Sequence, residues 1–230
     1  MTLFETIFVR RSVRIYESEP LSAEELAELL RLVRETEALP GCEAAFRLIG
    51  PEEMGLPLAP HYLVASCAAE DAAYANLGFV LEKLDLTLQS RGLGSLWYGM
   101  NLPRKSEPGD AIVMAFGRTK QPPRRGEADF KRLPLKELGA ADSPAIRAAR
   151  LAPSSVNSQP WIFEQEANCL RLRLHPRGLL APRLEKKLNK IDLGIAARHA
   201  WTALEAEGKR NLRAEASGEG RALTITLRWD

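Results

Sequence analysis

The chain has 230 residues and a mass of 25.5 kDa, with 45% hydrophobic and 27% charged residues. That is ordinary globular composition with enough apolar content for a sizeable core, and it excludes disordered, collagen-like and low-complexity classes. Thirty-two Lys and Arg against 30 Asp and Glu leave a formal charge of +2, too small an excess for a dedicated nucleic-acid binder.

The N-terminal stretch MTLFETIFVRRSVRIY carries acidic and then basic residues around a short apolar run. A secretory signal has the opposite order of charge and apolar core. No apolar run reaches the 18 or more residues of a membrane span. The expectation is a cytoplasmic protein that engages neither membrane nor nucleic acid. Three scattered cysteines, Cys42, Cys67 and Cys169, have no CxxC spacing. The histidines His61, His175 and His199 form no metal-binding pair. A reducing compartment and no metal site are expected.

Leu21–Ala38 reads as an amphipathic helix, with Ser22 and Glu25 as a capping box and Leu26, Leu29, Leu30 and Val33 as its apolar stripe. Tyr62–Cys67 suits a strand. Asp71–Ser90 is a long helix with Leu77, Leu81, Leu84 and Leu88 on one side and Gly92 past its end. Ala111–Phe116 is a buried strand, and the Pro- and Arg-rich stretch Arg118–Lys131 is a surface connection.

The pattern then begins again. Ala145–Ala152 reads as helix, Trp161–Glu166 and Leu170–His175 as strands, Lys187–Glu207 as a second long helix ending at Gly208, and Leu212–Glu215 and Ala222–Trp229 as strands. A shift of 116 positions lays Leu77-Gly78 on Leu193-Gly194, Leu88 on Leu204, Gly92 on Gly208 and Arg34 on Arg150. The expectation is an α+β fold, internally duplicated, with residues 1–120 and 121–230 as halves of one compact unit. Its two long helices would pack centrally through their leucine and alanine stripes, between flanking sheets.

No phosphate loop or nucleophile elbow is present, and Gly92-Leu93-Gly94 follows a helix where a dinucleotide fingerprint follows a strand. Two other segments carry chemistry. Arg10-Arg11-Ser12-Val13-Arg14 gathers three guanidiniums and a hydroxyl that can hold a phosphate, although such a run is often merely solvated. Ala152-Pro153-Ser154-Ser155-Val156-Asn157-Ser158-Gln159-Pro160-Trp161 offers small hydroxyls and amides able to hydrogen-bond a polar heterocycle, or else forms a polar turn.

Taken together with the G-L-G-S-x-W run at Gly92–Trp97, these segments resemble the nitroreductase family of FMN-dependent oxidoreductases. In ordinary members, which are homodimers, the serine-rich loop follows the basic motif within a few tens of residues. Here Glu37–Glu43 stands in that place and the loop comes one repeat later. The resemblance therefore implies that one chain mimics the usual dimer and holds one FMN between its halves, with NAD(P)H as electron donor, a small-molecule electron acceptor such as a nitroaromatic or quinone, and ping-pong turnover. It implies that Arg10, Arg11, Ser12 and Arg14 serve the phosphate and ribityl chain. Pro153, Ser154, Ser155 and Asn157 would meet the flavin from the other half, with Gln159 behind them. The backbone of Leu96, Trp97, Tyr98 and Gly99 would lie against the flavin ring. Lys131 and Arg132 would complete the phosphate site, with Arg124 and Arg125 as competitors. The flavin itself carries the chemistry, so no catalytic side chain is assigned. A monomer with pseudo-twofold symmetry is expected, with a homodimer the other assembly. A flavin carrier or sensor without turnover, and an interaction module built on the basic patches, are the rival functions.

Overall fold

A computed structural model describes residues 1–55, 58–99, 101–139, 142–179, 181–184 and 186–230. The first half runs α1 (Leu3–Ile7), α2 (Ala23–Glu35), β1 (Ala45–Ile49), α3 (Pro51–Met54), β2 (His61–Ser66), α4 (Asp71–Ser90), β3 (Leu93–Trp97) and β4 (Asp110–Arg118). After a connection containing two short 3₁₀ turns come α5 (Pro144–Leu151), β5 (Trp161–Glu166), β6 (Cys169–Leu174), α6 (Ala181–Leu184), α7 (Leu188–Ala206), β7 (Arg213–Ser217) and β8 (Thr224–Arg228). The expected helices and strands are present with small shifts at their ends. The capping box of α2 forms as read, with the Ser22 side chain accepting from the Glu25 N–H.

Each half supplies a four-stranded antiparallel sheet, and the two share one order: β1-β2-β4-β3 and β5-β6-β8-β7. Between the sheets lie α4 and α7, both buried along most of their length. A helix that is apolar nearly all round must sit inside the core. No helix among the described residues is long and apolar enough to cross a membrane.

The line of contact between α4 and α7 differs from the expected stripes. Their closest approach is at Gly78 and Gly194, one position round the helix from the leucine row. A Cβ on Gly78 would run into the carbonyl of Ile191, and one on Gly194 into the carbonyl of Ala75. The contact is reciprocal, since Ala75 and Ile191 are themselves 116 positions apart, as are the glycines. Only glycine lets the two backbones come this close. Leu77, Leu81, Leu84 and Leu88 are buried in the surrounding core.

Gly194→Ala should therefore force the helices apart, with a stability loss of about 3 kcal/mol by overpacking. In thermal denaturation that is a fall of roughly 6–12 °C for a chain of this size. Gly208→Ala is no control for packing, because Gly208 has positive φ; Gly50→Ala, which meets open space, should leave the midpoint within about 2 °C.

Candidate active site

The segment carrying Arg10–Arg14 leaves α1 and runs beside β3, where the Val13 N–H donates to the Ser95 carbonyl at 2.9 Å. Gly94 leaves room for the Val13 side chain. This brings Ser12 and Arg14 to the rim of a cavity of about 300 Å³. Leu96, Trp97, Tyr98 and Gly99 form one wall, Pro153, Ser154 and Ser155 the facing one, and Ile191, Asp192 and Ile195 of α7 line it as well. Nine of the residues expected at the site thus meet around one cavity, although they come from opposite halves of the chain.

The serine-rich loop is held in a costly conformation. Val156, Asn157 and Gln159 have φ of 49°, 58° and 48°, a region that a β-branched residue rarely enters. Side-chain hydrogen bonds over-determine it. The Gln159 N–H donates to Ser154 Oγ at 2.9 Å, Gln159 Oε1 accepts from the Leu133 N–H at 2.8 Å, and Asp192 Oδ1 accepts from the Ser155 N–H at 3.0 Å. Gln159 and Asn157 shape this loop and lie off the cavity wall. Asn157 Oδ1 accepts from Arg132 Nη1 at 2.7 Å, and its Nδ2 donates to the Lys131 carbonyl at 2.9 Å.

Asn157 thereby ties the loop to a cluster of guanidiniums around Phe130. Arg124 and Arg132 stand 4.5 and 5.4 Å over the Phe130 ring, and Arg124 Nε donates to the Arg10 carbonyl at 3.1 Å. Arg150 pairs with Glu127 at 2.9 Å. Arg132 has no carboxylate partner among the described residues. Burial, reinforced by Arg10, Arg124 and Arg150, lowers it to about 9. Its Nε and Arg10 Nη2 are buried without a hydrogen-bond partner. Guanidiniums grouped in this way can hydrogen-bond an anion. Of the four competing cations, Arg132 and Arg124 belong to it. Lys131 and Arg125 are exposed, and Lys131 contributes its carbonyl.

Arg10 and Arg11 take other places than a wall of the cavity. Arg10 is buried against α4, where it pairs with Asp85 at 2.7 Å and lies 3.7 Å from Glu82. Arg11 Nη1 donates to the Pro122 carbonyl at 3.0 Å. Beside Arg10, Glu82 accepts from Trp97 Nε1 at 3.0 Å and meets His199 Nε2 at 2.7 Å, while His199 Nδ1 lies 2.9 Å from the Ala148 carbonyl. Burial raises Glu82 well above the usual carboxylate range and lowers His199. His199, lowered to about 3 by burial, is a neutral imidazole, with Nδ1 against the Ala148 carbonyl and Nε2 against Glu82.

Asp192 is the residue that sequence reasoning missed. Burial pushes its carboxyl up to about 7, against the lowering effect of its bonds to Ser155 and Asn189. Its place two residues before Gly194, matching Asn76 before Gly78, is the signal that could have found it.

The corresponding place in the other half is built differently. There Glu37, Ala38, Leu39 and Pro40 stand where Pro153, Ser154, Ser155 and Val156 would fall. Arg198 stacks 3.8 Å over Phe79 and donates to the Phe79 and Glu37 carbonyls at 2.7 and 2.8 Å. Glu37 is paired with Lys83 and Arg198, so no uncompensated cation is left there among these residues.

An α+β fold of two like sheets around a buried helix pair, with a cavity shared between halves, defines the class as nitroreductase-like. Residues 2–204 match the family model described as "Putative TM nitroreductase", and the chain belongs to this family. A structure described as a "putative nitroreductase" of Thermotoga maritima aligns over 99% of this chain and 94% of its own, with a TM-score of 0.74 and 23% identity. A nitroreductase family protein of Clostridium difficile aligns over 62% of this chain and 99% of its own, with a TM-score of 0.50 and 16% identity. An FMN-dependent nitroreductase of the same species aligns over 58% and 96%, with a TM-score of 0.47 and 15% identity. No curated protein matched the sequence.

The raised Asp192 carboxyl has a measurable consequence for stability. Its folded value of about 7 lies above its ordinary 3.8, so the folded chain holds a proton that the unfolded chain releases. Its favourable contribution is full below about 4 and is lost as pH rises through 7. Asp192→Asn should gain stability relative to the unaltered chain across that window, levelling off above it at on the order of 4 kcal/mol. Urea denaturation of both proteins at a series of pH values checks this. A difference independent of pH would contradict it.

Proposed function

We propose that the chain is an FMN-dependent oxidoreductase, which accepts hydride from NAD(P)H and reduces a nitroaromatic, quinone or similar small-molecule acceptor in two alternating half-reactions. We further propose that it is a duplicated, fused unit of residues 1–120 and 121–230, monomeric, with one FMN per chain. The observation that carries this reading is a cavity walled by both halves, together with the Arg132 guanidinium, which has no carboxylate partner among the described residues.

These residues fit the cofactor. Arg132, Arg124 and Arg14, with the Ser12 hydroxyl, would hold its phosphate by charge-assisted hydrogen bonds. Ser154, Ser155 and the Tyr98-Gly99 backbone would engage its polar ring edge. Leu188, Ile191, Ile195 and Ile112 line the cavity and would exclude water from its apolar face. When bound, the flavin supplies the ability to take up and return a hydride. Trp97 is fixed by its bond to Glu82, which keeps one cavity wall rigid. The hydrogen bonds that hold the strained loop fix the Ser154 and Ser155 groups in place before any ligand arrives.

Fluorescence titration of the flavin-free protein tests the assignment. Arg132→Ala and Arg14→Ala should each weaken FMN binding about ten- to a hundred-fold, the loss of one charged hydrogen bond of about 1.5–3 kcal/mol. Riboflavin, which lacks the phosphate, should bind the variants and the unaltered chain alike. Equal FMN affinity in all three proteins would remove the guanidinium cluster from the site. NAD(P)H oxidation under stopped flow, with a quinone present, then separates turnover from simple binding.

A further inference from the structure

Asp192 is a buried carboxyl on the wall of the cavity, and its partners are all neutral. Oδ1 accepts from the Ser155 N–H at 3.0 Å and faces the Ser155 hydroxyl at 3.3 Å, while Oδ2 accepts from Asn189 Nδ2 at 3.2 Å. The charged groups on the surrounding elements are engaged elsewhere. Lys190 of α7 pairs with Asp71 of α4, and Asp85 of α4 pairs with Arg10. Glu82 is engaged by His199 Nε2 at 2.7 Å and by Trp97 Nε1 at 3.0 Å. Arg14 and Tyr98 face the same cavity, and no ion pair to Asp192 forms among the described residues.

The other half shows what the position requires structurally. Asn76, 116 residues earlier, accepts the Leu39 N–H on its Oδ1 at 2.8 Å, and Leu39 is likewise 116 residues before Ser155. An amide therefore suffices to pin this loop to the central helix. What a carboxyl adds is an exchangeable proton, and it stands only in the half whose loop faces the candidate cofactor cavity.

We propose that Asp192 takes up a proton from solution when the cofactor bound in this cavity is reduced. The inference rests on the flavin reading above. The donor NAD(P)H delivers two electrons and one proton as hydride, which leaves an added negative charge in the cavity that Asp192 lines. A second negative charge on Asp192 is then disfavoured by like-charge repulsion at low dielectric. Its carboxylate binds a proton, forming one O–H bond and cancelling the added charge. When the acceptor removes the hydride, the Asp192 O–H releases that proton, so electrons and protons balance over the cycle. The rise of the Asp192 carboxyl to about 7 places this exchange within the working pH range. Asp192 is thus a positioning residue for Ser155 that also compensates charge.

The test is a spectroelectrochemical titration of FMN-loaded protein from about pH 5 to 9, counting protons bound per two electrons from the slope of potential against pH. The unaltered chain should bind up to one more proton than Asp192→Asn just above pH 7, and the two should agree at pH 5. Identical slopes throughout, with both proteins fully loaded, overturn the proposal. If Asp192→Asn fails to hold FMN, reduction-induced infrared difference spectra of the unaltered chain decide. A carboxylic-acid band should appear on reduction above pH 7, and its absence overturns the proposal. Failure of the unaltered chain itself to bind FMN overturns the flavin reading and this inference together.

Discussion

The structure depends on the crossing of α4 and α7 at two glycines. Because neither Gly78 nor Gly194 has a side chain, each helix backbone rests against the carbonyl of the other. That contact sets how closely the two sheets approach and so where their loops meet. The cavity exists because β3 of one half and the loop after α5 of the other are carried to the same place by this pair. A shift of either helix by the width of a methyl group would move Ser154 and Ser155 relative to Trp97 and Tyr98.

Charge is distributed around the pair with the same economy. At one position of the long helices the first half carries Glu82 and the second, 116 residues on, Arg198. Glu82, raised by burial, meets His199 and secures Trp97. Arg198 is lowered to about 10 by burial and is spent on the Phe79 and Glu37 carbonyls. The two halves share one sheet order and differ in polarity. Hydroxyls and uncompensated guanidiniums gather on one side, aromatic rings and paired ions on the other.

Much of this was legible in the sequence. Leucine periodicity and terminal glycines marked α4 and α7, and the common offset aligned them, because those signals are local. β1 and β3 were not marked. β1 is five residues long and carries Arg47, held by Asp110 of β4 at 2.7 Å. β3 contains Gly94 and Ser95, weak strand formers, and is a strand because it pairs with β4 and receives the Val13 N–H. The basic motif and the serine-rich loop were readable as site segments, and nine of their residues with the β3 run line the cavity. The burial of Arg10 was not readable, since its carboxylate partner Asp85 lies 75 residues away and is brought close only by the fold. The glycine contact was missed for a related reason: the leucine stripe is the louder pattern, while close approach is signalled by what is missing.

We propose that one chain completes by itself the flavin cavity, taking both of its walls from within the chain. Native mass spectrometry of the flavin-loaded protein addresses it most directly, because chain count and cofactor count are read from one mass. The account predicts a single chain carrying one FMN. A species with two FMN per chain, or a stable dimer that loses its flavin on dissociation, would contradict it.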